Sequence, residues 1–330
     1  MVDLELFRKG KIYSKWRNRF YHQGPVKIYS KLTHDEVVLW HYAGKKIMKP
    51  EQTNAYIYES IMNNNPIMVS RFGGTESGII EKYYLDKIHN REPGEDTLVQ
   101  FQRLQSLSGF FPNDISMLER FCEVYLKAAE SIDLLATWNM AVEPYAIWKM
   151  KNSARLTTLQ FIEPWFYEHP WTAALENKKV LIVHPFADSI EKQYCNREKL
   201  FDNIECLPPF ELLTFKAVQT IAGEKDERFD TWFSALEYMK QAILPLDFDV
   251  AIIGCGAYGM PLAAAIRETN RTAIHLAGVT QLMFGIWGNR WNQSGPSWEK
   301  YKKLRNKYWI SPSKEETPAN AEVVEEHTYW

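Results

Sequence analysis

The stretch Phe248-Asp-Val-Ala-Ile-Ile-Gly-Cys-Gly-Ala-Tyr-Gly259, continued by Met-Pro-Leu-Ala-Ala-Ala-Ile-Arg267, decides how the chain is read. Val250-Ala-Ile-Ile253 is apolar on both faces, as in a strand buried inside a parallel sheet. Three glycines follow as Gly254-x-Gly256-x-x-Gly259, and a helix of small and aliphatic residues then accepts Pro261 in its first turn. Glycine permits a sharp turn and close approach of backbone to a ligand. The helix N-terminus adds free N–H groups and the positive end of a dipole. The loop Gly254, Gly256, Tyr258 and Gly259 therefore suits a phosphate or diphosphate. A dinucleotide fold would add an Asp or Glu about 20 residues further on, at the end of the next strand. That strand, Thr272-Ala-Ile-His-Leu-Ala277, runs instead into Gly278-Val-Thr-Gln281 without an acid. Tight strand–helix packing is the competing use of the same glycines.

A second unit has the same grammar. Ile67-Met-Val-Ser70 is a short buried strand, and Arg71-Phe-Gly-Gly-Thr-Glu-Ser77 leads into a helix. Both units open at the C-terminal edge of the sheet, where open α/β folds bind ligands. Arg71 can pair with phosphate oxygens, flanked by Gly73, Gly74 and Thr75. Glu76 can ligate a metal or act as a base. Lys179-Val-Leu-Ile-Val-His184 brings His184 to the same edge, with Asp188 just beyond it; Ile132–Thr137 is a further buried strand. Past the last strand, Thr280, Gln281 and Arg290 can close over a diphosphate beside Trp287 and Trp291. Ile204–Leu207 is expected as a strand, and the run after Pro208 through Lys216 and Gln219 as helix. The expected fold is one α/β domain over 51–310 with a mainly parallel sheet flanked by helices and a helical insertion near 88–130.

Composition frames this reading. The chain has 330 residues, 45% hydrophobic and 24% charged, with a formal net charge of -2, which gives no general affinity for nucleic acid. Four cysteines lack C-x-x-C spacing, pointing to a reducing cytoplasm rather than a zinc or disulfide framework. No apolar run approaches the roughly 18 residues that span a bilayer, and the opening Met1-Val-Asp-Leu-Glu is not a signal peptide. Residues 1–50 form a basic, aromatic arm, with Arg8, Lys9, Lys11, Lys15, Arg17 and Arg19 among Phe7, Tyr13, Trp16, Phe20 and Tyr21. Such an arm suits either contact with an anionic membrane, at its cytoplasmic face, or packing on the domain. Residues 311–330 are polar and acidic, and are expected as a flexible tail.

Four motifs in order, Arg71-Phe-Gly-Gly-Thr-Glu76, His184-Pro-Phe186 with Gln193-Tyr194, the 254–259 loop and Gly278-Val-Thr-Gln-Leu-Met-Phe-Gly285, resemble bacterial capsule and surface-polysaccharide biosynthesis proteins. These in turn are similar to glycosyltransferases of the GT-D fold. The resemblance covers about 60–310. It implies a Rossmann-like sheet, a nucleotide-diphosphate sugar donor and a glycan or lipid-linked acceptor. In GT-D enzymes an Asp-x-Glu after the first strand holds a divalent cation, Mn or Mg. Here those positions are Gly74-Thr75-Glu76, so Glu76 matches and the Asp is missing. A cation on Glu76 would need substrate phosphates and water to complete its shell, while a metal-free site would rely on Arg and Lys. Glu76, His184 and Asp188, with Glu163 in reserve, are the candidates for acid–base work. Two other classes fit parts of the sequence: a non-catalytic polysaccharide-assembly partner, favoured by the missing Asp, and an NAD(P)-dependent oxidoreductase, favoured only by the glycine pattern.

Overall fold

A computed structural model describes residues 2–22, 24–33, 40–321, 324 and 329–330. A small hairpin, β1 (His41–Tyr42) and β2 (Lys45–Lys46), precedes the main sheet. The sheet strands are β3 (Met68–Ser70), β4 (Leu134–Thr137), β5 (Arg155–Thr158), β6 (Lys179–His184), β7 (Glu211–Lys216), β8 (Val250–Ile253) and β9 (Thr272–His275). They lie in the order β5-β4-β3-β9-β8-β6-β7, and every pairing is parallel. This is a Rossmann-like α/β architecture, and it is wholly rather than mainly parallel. The helices are α1 (Leu4–His22), α2 (Pro25–Thr33), α3 (Pro50–Met62), α4 (Gly74–Ile88), α5 (Glu95–Ser108), α6 (Leu118–Ala129), α7 (Glu143–Lys149), α8 (Ala187–Tyr194), α9 (Trp232–Ile243), α10 (Gly259–Glu268) and α11 (Pro296–Lys302).

Alternation along the strands builds two cores. Met68, Leu135, Leu181, Val183, Ala251 and Ile253 face a layer formed by α1, α4, α5, α6, α7, α9 and α10. Val69, Leu134, Val180, Ile182, Ile252 and Ile274 face α3, α8 and the short turns around Trp171 and Phe284. Burial on both faces explains why the central strands are continuous apolar runs. The N-terminal arm joins the first layer through Phe7, whose ring lies 5.3 Å from that of Tyr145. Helices α5 and α6, which make up the helical stretch expected near 88–130, pack into this layer.

Three expectations are corrected. Ile204–Cys206 is a 3₁₀ turn, not a strand. The neighbouring Glu211-Leu-Leu-Thr-Phe-Lys216, expected as helix, is the edge strand β7, paired along its length with β6. Its Leu, Thr and Phe suit a half-buried pleated surface, and pairing with β6 overrides the helical reading. The described residues of 311–330 also pack rather than project. Glu316 is 2% exposed and accepts hydrogen bonds from the Ser189 amide and hydroxyl, while Ala321 and Val324 are buried.

Candidate functional site

At the C-terminal edge of the sheet, the turns after β3, β4, β6, β7, β8 and β9 enclose a cavity of about 260 Å³. Arg71, Gly73, Gly74, Thr75, Glu76, His184, Gly254, Gly256, Tyr258, Gln281 and Arg290 all line it. Asp188, Gly259 and Thr280 do not. Asp188 sits on the surface in an ion pair with Lys216 at 2.7 Å, so it is removed from the set. Thr280 is buried and donates to the Ile253 carbonyl at 3.3 Å. Glu163, the reserve base, is also buried elsewhere, accepting from the Tyr301 hydroxyl at 2.8 Å.

The β3–α4 turn presents charge. Arg71 lies over the Trp138 ring, 4.8 Å from its centroid, and Trp138 is fixed by donating Nε1–H to the Phe72 carbonyl at 2.9 Å. The turn carrying Trp138 is clamped in its own right: Glu143 accepts the amides of Trp138 at 3.0 Å and Met140 at 3.1 Å. Burial pushes this Glu143 carboxyl up to about 7. Burial and then the neighbouring Arg290 pull the Arg71 guanidinium below its ordinary value. No salt bridge closes on Arg71 or Arg290 among the described residues. Three cations, Arg71, Arg103 and Arg290, line one cavity with no salt bridge closing on them among the described residues, which is the electrostatic signature of an anion site.

Glu76 folds back over the first turn of α4. A side-chain carbon at Gly73 would overlap its carboxylate, so Gly73 makes room for it. There the Glu76 carboxylate meets its own backbone amide, in the first turn of the helix, and the Ser108 hydroxyl. Burial outweighs these contacts and raises its pKa above the usual glutamate value. Among the described residues Glu76 is the one Asp or Glu side chain lining the cavity, and no group of three or more His, Cys, Asp or Glu could hold a metal ion. The donor set therefore does not build a cage for Mg or Mn.

The histidines are neutral. Burial lowers His184 to about 3, and its Nδ1 accepts the Phe186 amide at 3.0 Å. That contact fixes the proton on Nε2, so His184 offers a hydrogen-bond donor, not the base expected from the sequence. His275, which the sequence reading left unassigned, also lines the cavity. Burial, then the Arg71 charge, lower it to about 3. Its Nδ1 is 2.9 Å from the Ser70 hydroxyl, and its Nε2 is buried without a partner. Gln281 donates to the carbonyls of Ile286 and Tyr329 at 3.2 and 3.1 Å, leaving Oε1 buried and unpartnered. Position at a strand's C-terminal end, the signal that singled out His184, would have found His275. No local signal marks Tyr329 and Trp330, which line the cavity from the far end of the chain.

The glycines of the 254–259 loop divide by use. A Cβ at Gly254 would come within 2.6 Å of Thr280 Oγ1 and 2.7 Å of the Ala277 carbonyl, and one at Gly259 would overlap His275. These two glycines serve packing. Gly256 alone is exposed, with φ +56, and its nearest neighbour, the Ser108 carbonyl, lies 3.4 Å from an added Cβ. Its backbone is the most exposed part of the loop, which also lines the cavity at Gly254, Cys255 and Tyr258. Comparison with protein-family models, curated proteins and solved structures yields no match to this chain.

Proposed function

We propose that the cavity takes the diphosphate of a nucleotide-sugar and that the protein is a glycosyltransferase of surface-polysaccharide or glycoconjugate synthesis. The observation that carries this reading is the set of three guanidinium groups, Arg71, Arg103 and Arg290, lining one cavity without a salt bridge among the described residues. In glycosyl transfer the nucleoside diphosphate leaves as negative charge builds on its β-phosphate. Cations and helix-start amides aimed there stabilise that charge. Arg71, Arg290 and the exposed backbone at Gly256 fill that role, and the His184 Nε2–H adds a neutral donor. Glu76, with its raised pKa, is the group able to take a proton from an acceptor hydroxyl. The chemistry is assigned to these side chains and not to a resident metal.

The test is a thermal-shift panel of UDP-, GDP- and CMP-sugars against NAD and NADP, each with and without Mn²⁺. Stabilisation by one nucleotide-sugar without Mn²⁺ is expected. Stabilisation by NAD(P) alone would give the site to the oxidoreductase reading. Glu76→Gln keeps the shape and removes the charge. Turnover should fall while donor binding and melting temperature hold. Donor binding without turnover in the wild type would favour the non-catalytic reading.

A further inference from the structure

We propose that the outward face of α1 and α2 is a docking surface for an anionic lipid bilayer, independently of what the cavity binds. The inward side of α1 is set by Phe7, Gly10, Ser14 and Arg17, which are buried at alternating spacings of three and four. The opposite side carries Arg8, Ile12, Lys15, Trp16 and Arg19, all exposed on one helical face. Ile12 is 61% and Trp16 62% exposed. Helix α2 continues the pattern, with Ile28 59%, Tyr29 54% and Leu32 77% exposed beside Lys27 and Lys31. A nine-residue helix with so little burial has no core of its own to hold it.

Charge selects the occupant. Residues 1–33 hold eight of the 39 Lys and Arg but only two of the 41 Asp and Glu. Residues 1–33 thus carry +6 and the remaining chain, with 31 bases and 39 acids, carries -8. Arg8, Lys15, Arg19, Lys27 and Lys31 close no salt bridge among the described residues. A second copy of the chain would set two such positive faces against each other. Nucleic acid would leave the aliphatic Ile12, Ile28 and Leu32 without use. An anionic bilayer surface accepts cations at its headgroups, aliphatic side chains below them and Trp between.

The surface also lies near the cavity. Arg17, at the inward side of α1, hydrogen-bonds Asn139 and lies 4.3 Å over the Tyr42 ring. Asn139 follows Trp138, which lines the cavity and supports Arg71. The C-terminal half of α1 is thereby fixed at the same sheet edge as the cavity.

Flotation of the full chain with vesicles of phosphatidylcholine, alone or with roughly one quarter phosphatidylglycerol, tests this. Binding to the anionic vesicles is expected, weakening at least about tenfold when salt rises from about 0.1 to 0.5 M. Trp16→Ser with Ile28→Ser and Leu32→Ser should abolish flotation without moving the melting temperature, since all three side chains are exposed. Lys27→Gln with Lys31→Gln should weaken it roughly tenfold or more. No flotation of the wild type with anionic vesicles overturns the proposal, as does unchanged flotation of the triple Ser variant. A dimer in light scattering that the triple variant dissolves would instead assign the face to a second copy. Preference for an oligonucleotide over vesicles would assign it to nucleic acid.

Discussion

The turns after β3 and β8 share a grammar of buried strand, glycines and helix, yet they do opposite things. After β3, Gly73 clears space for a carboxylate, and the turn delivers Arg71 and Glu76 to the cavity. After β8, Gly254 and Gly259 clear space for Thr280, Ala277 and His275, and only Gly256 faces the opening. One turn uses glycine to present side chains, the other mainly to let strand, helix and the following loop close on one another. A glycine pattern therefore reports close approach. What approaches, ligand or protein, is decided by the atoms around each missing Cβ.

The contrast can be broken by substitution. Gly259→Val drives a branched side chain onto buried His275 and should destabilise the fold by about 3 kcal/mol, read as a lowered melting temperature. Arg71→Ala should barely move the melting temperature but weaken nucleotide-sugar binding by roughly 1.5–3 kcal/mol, measured by titration calorimetry. Equal loss of stability in both variants would erase the distinction.

Glu76 after β3 and His275 at the end of β9, on which the β8 turn closes, also answer pH with opposite sign. His275 is held at about 3 against an ordinary 6.5, so its stabilising share is present above pH 6.5 and drains away as pH falls toward 3. Glu76 is raised above its ordinary 4.5, so its share is present below pH 4.5 and is lost as pH rises past that value. Denaturant unfolding at pH 6.5 and about pH 5 should show His275→Gln losing about 1–2 kcal/mol less than the wild type over that interval. The smallest effect belongs to Gly256→Ala, at about 1 kcal/mol of stability for the left-handed backbone, with donor binding weakened alongside.

The central strands were legible because each is buried on both faces, so the apolar run alone specifies it. Strand β7 was not, because its residues are half-exposed and its strand character comes from β6. The packed end of the chain escaped for a related reason. Glu316 reads as a solvent-facing acid until the Ser189 amide and hydroxyl, 127 residues away, supply its partners. At the site, Arg71, Glu76, His184 and the Gly256 loop could be placed from strand ends alone. The tautomer of His184 could not, since it depends on the direction of one backbone amide two residues on. Nor could the exclusion of Asp188, which turns on Lys216 across the edge strand.

The strand order carries a consequence for how the molecule comes into being. Val69 of β3 pairs with Leu134 on one side and with Ile274 on the other. The first strand of the sheet thus waits, through the whole of synthesis, for the last. Closing a loop of that length is slow, and until β9 arrives β3 has one bare edge. Arg71 and Glu76 emerge early, while His275, Gln281 and Arg290 emerge late. The pairing that completes the sheet is thus also the one that brings the late part of the cavity lining to the early part.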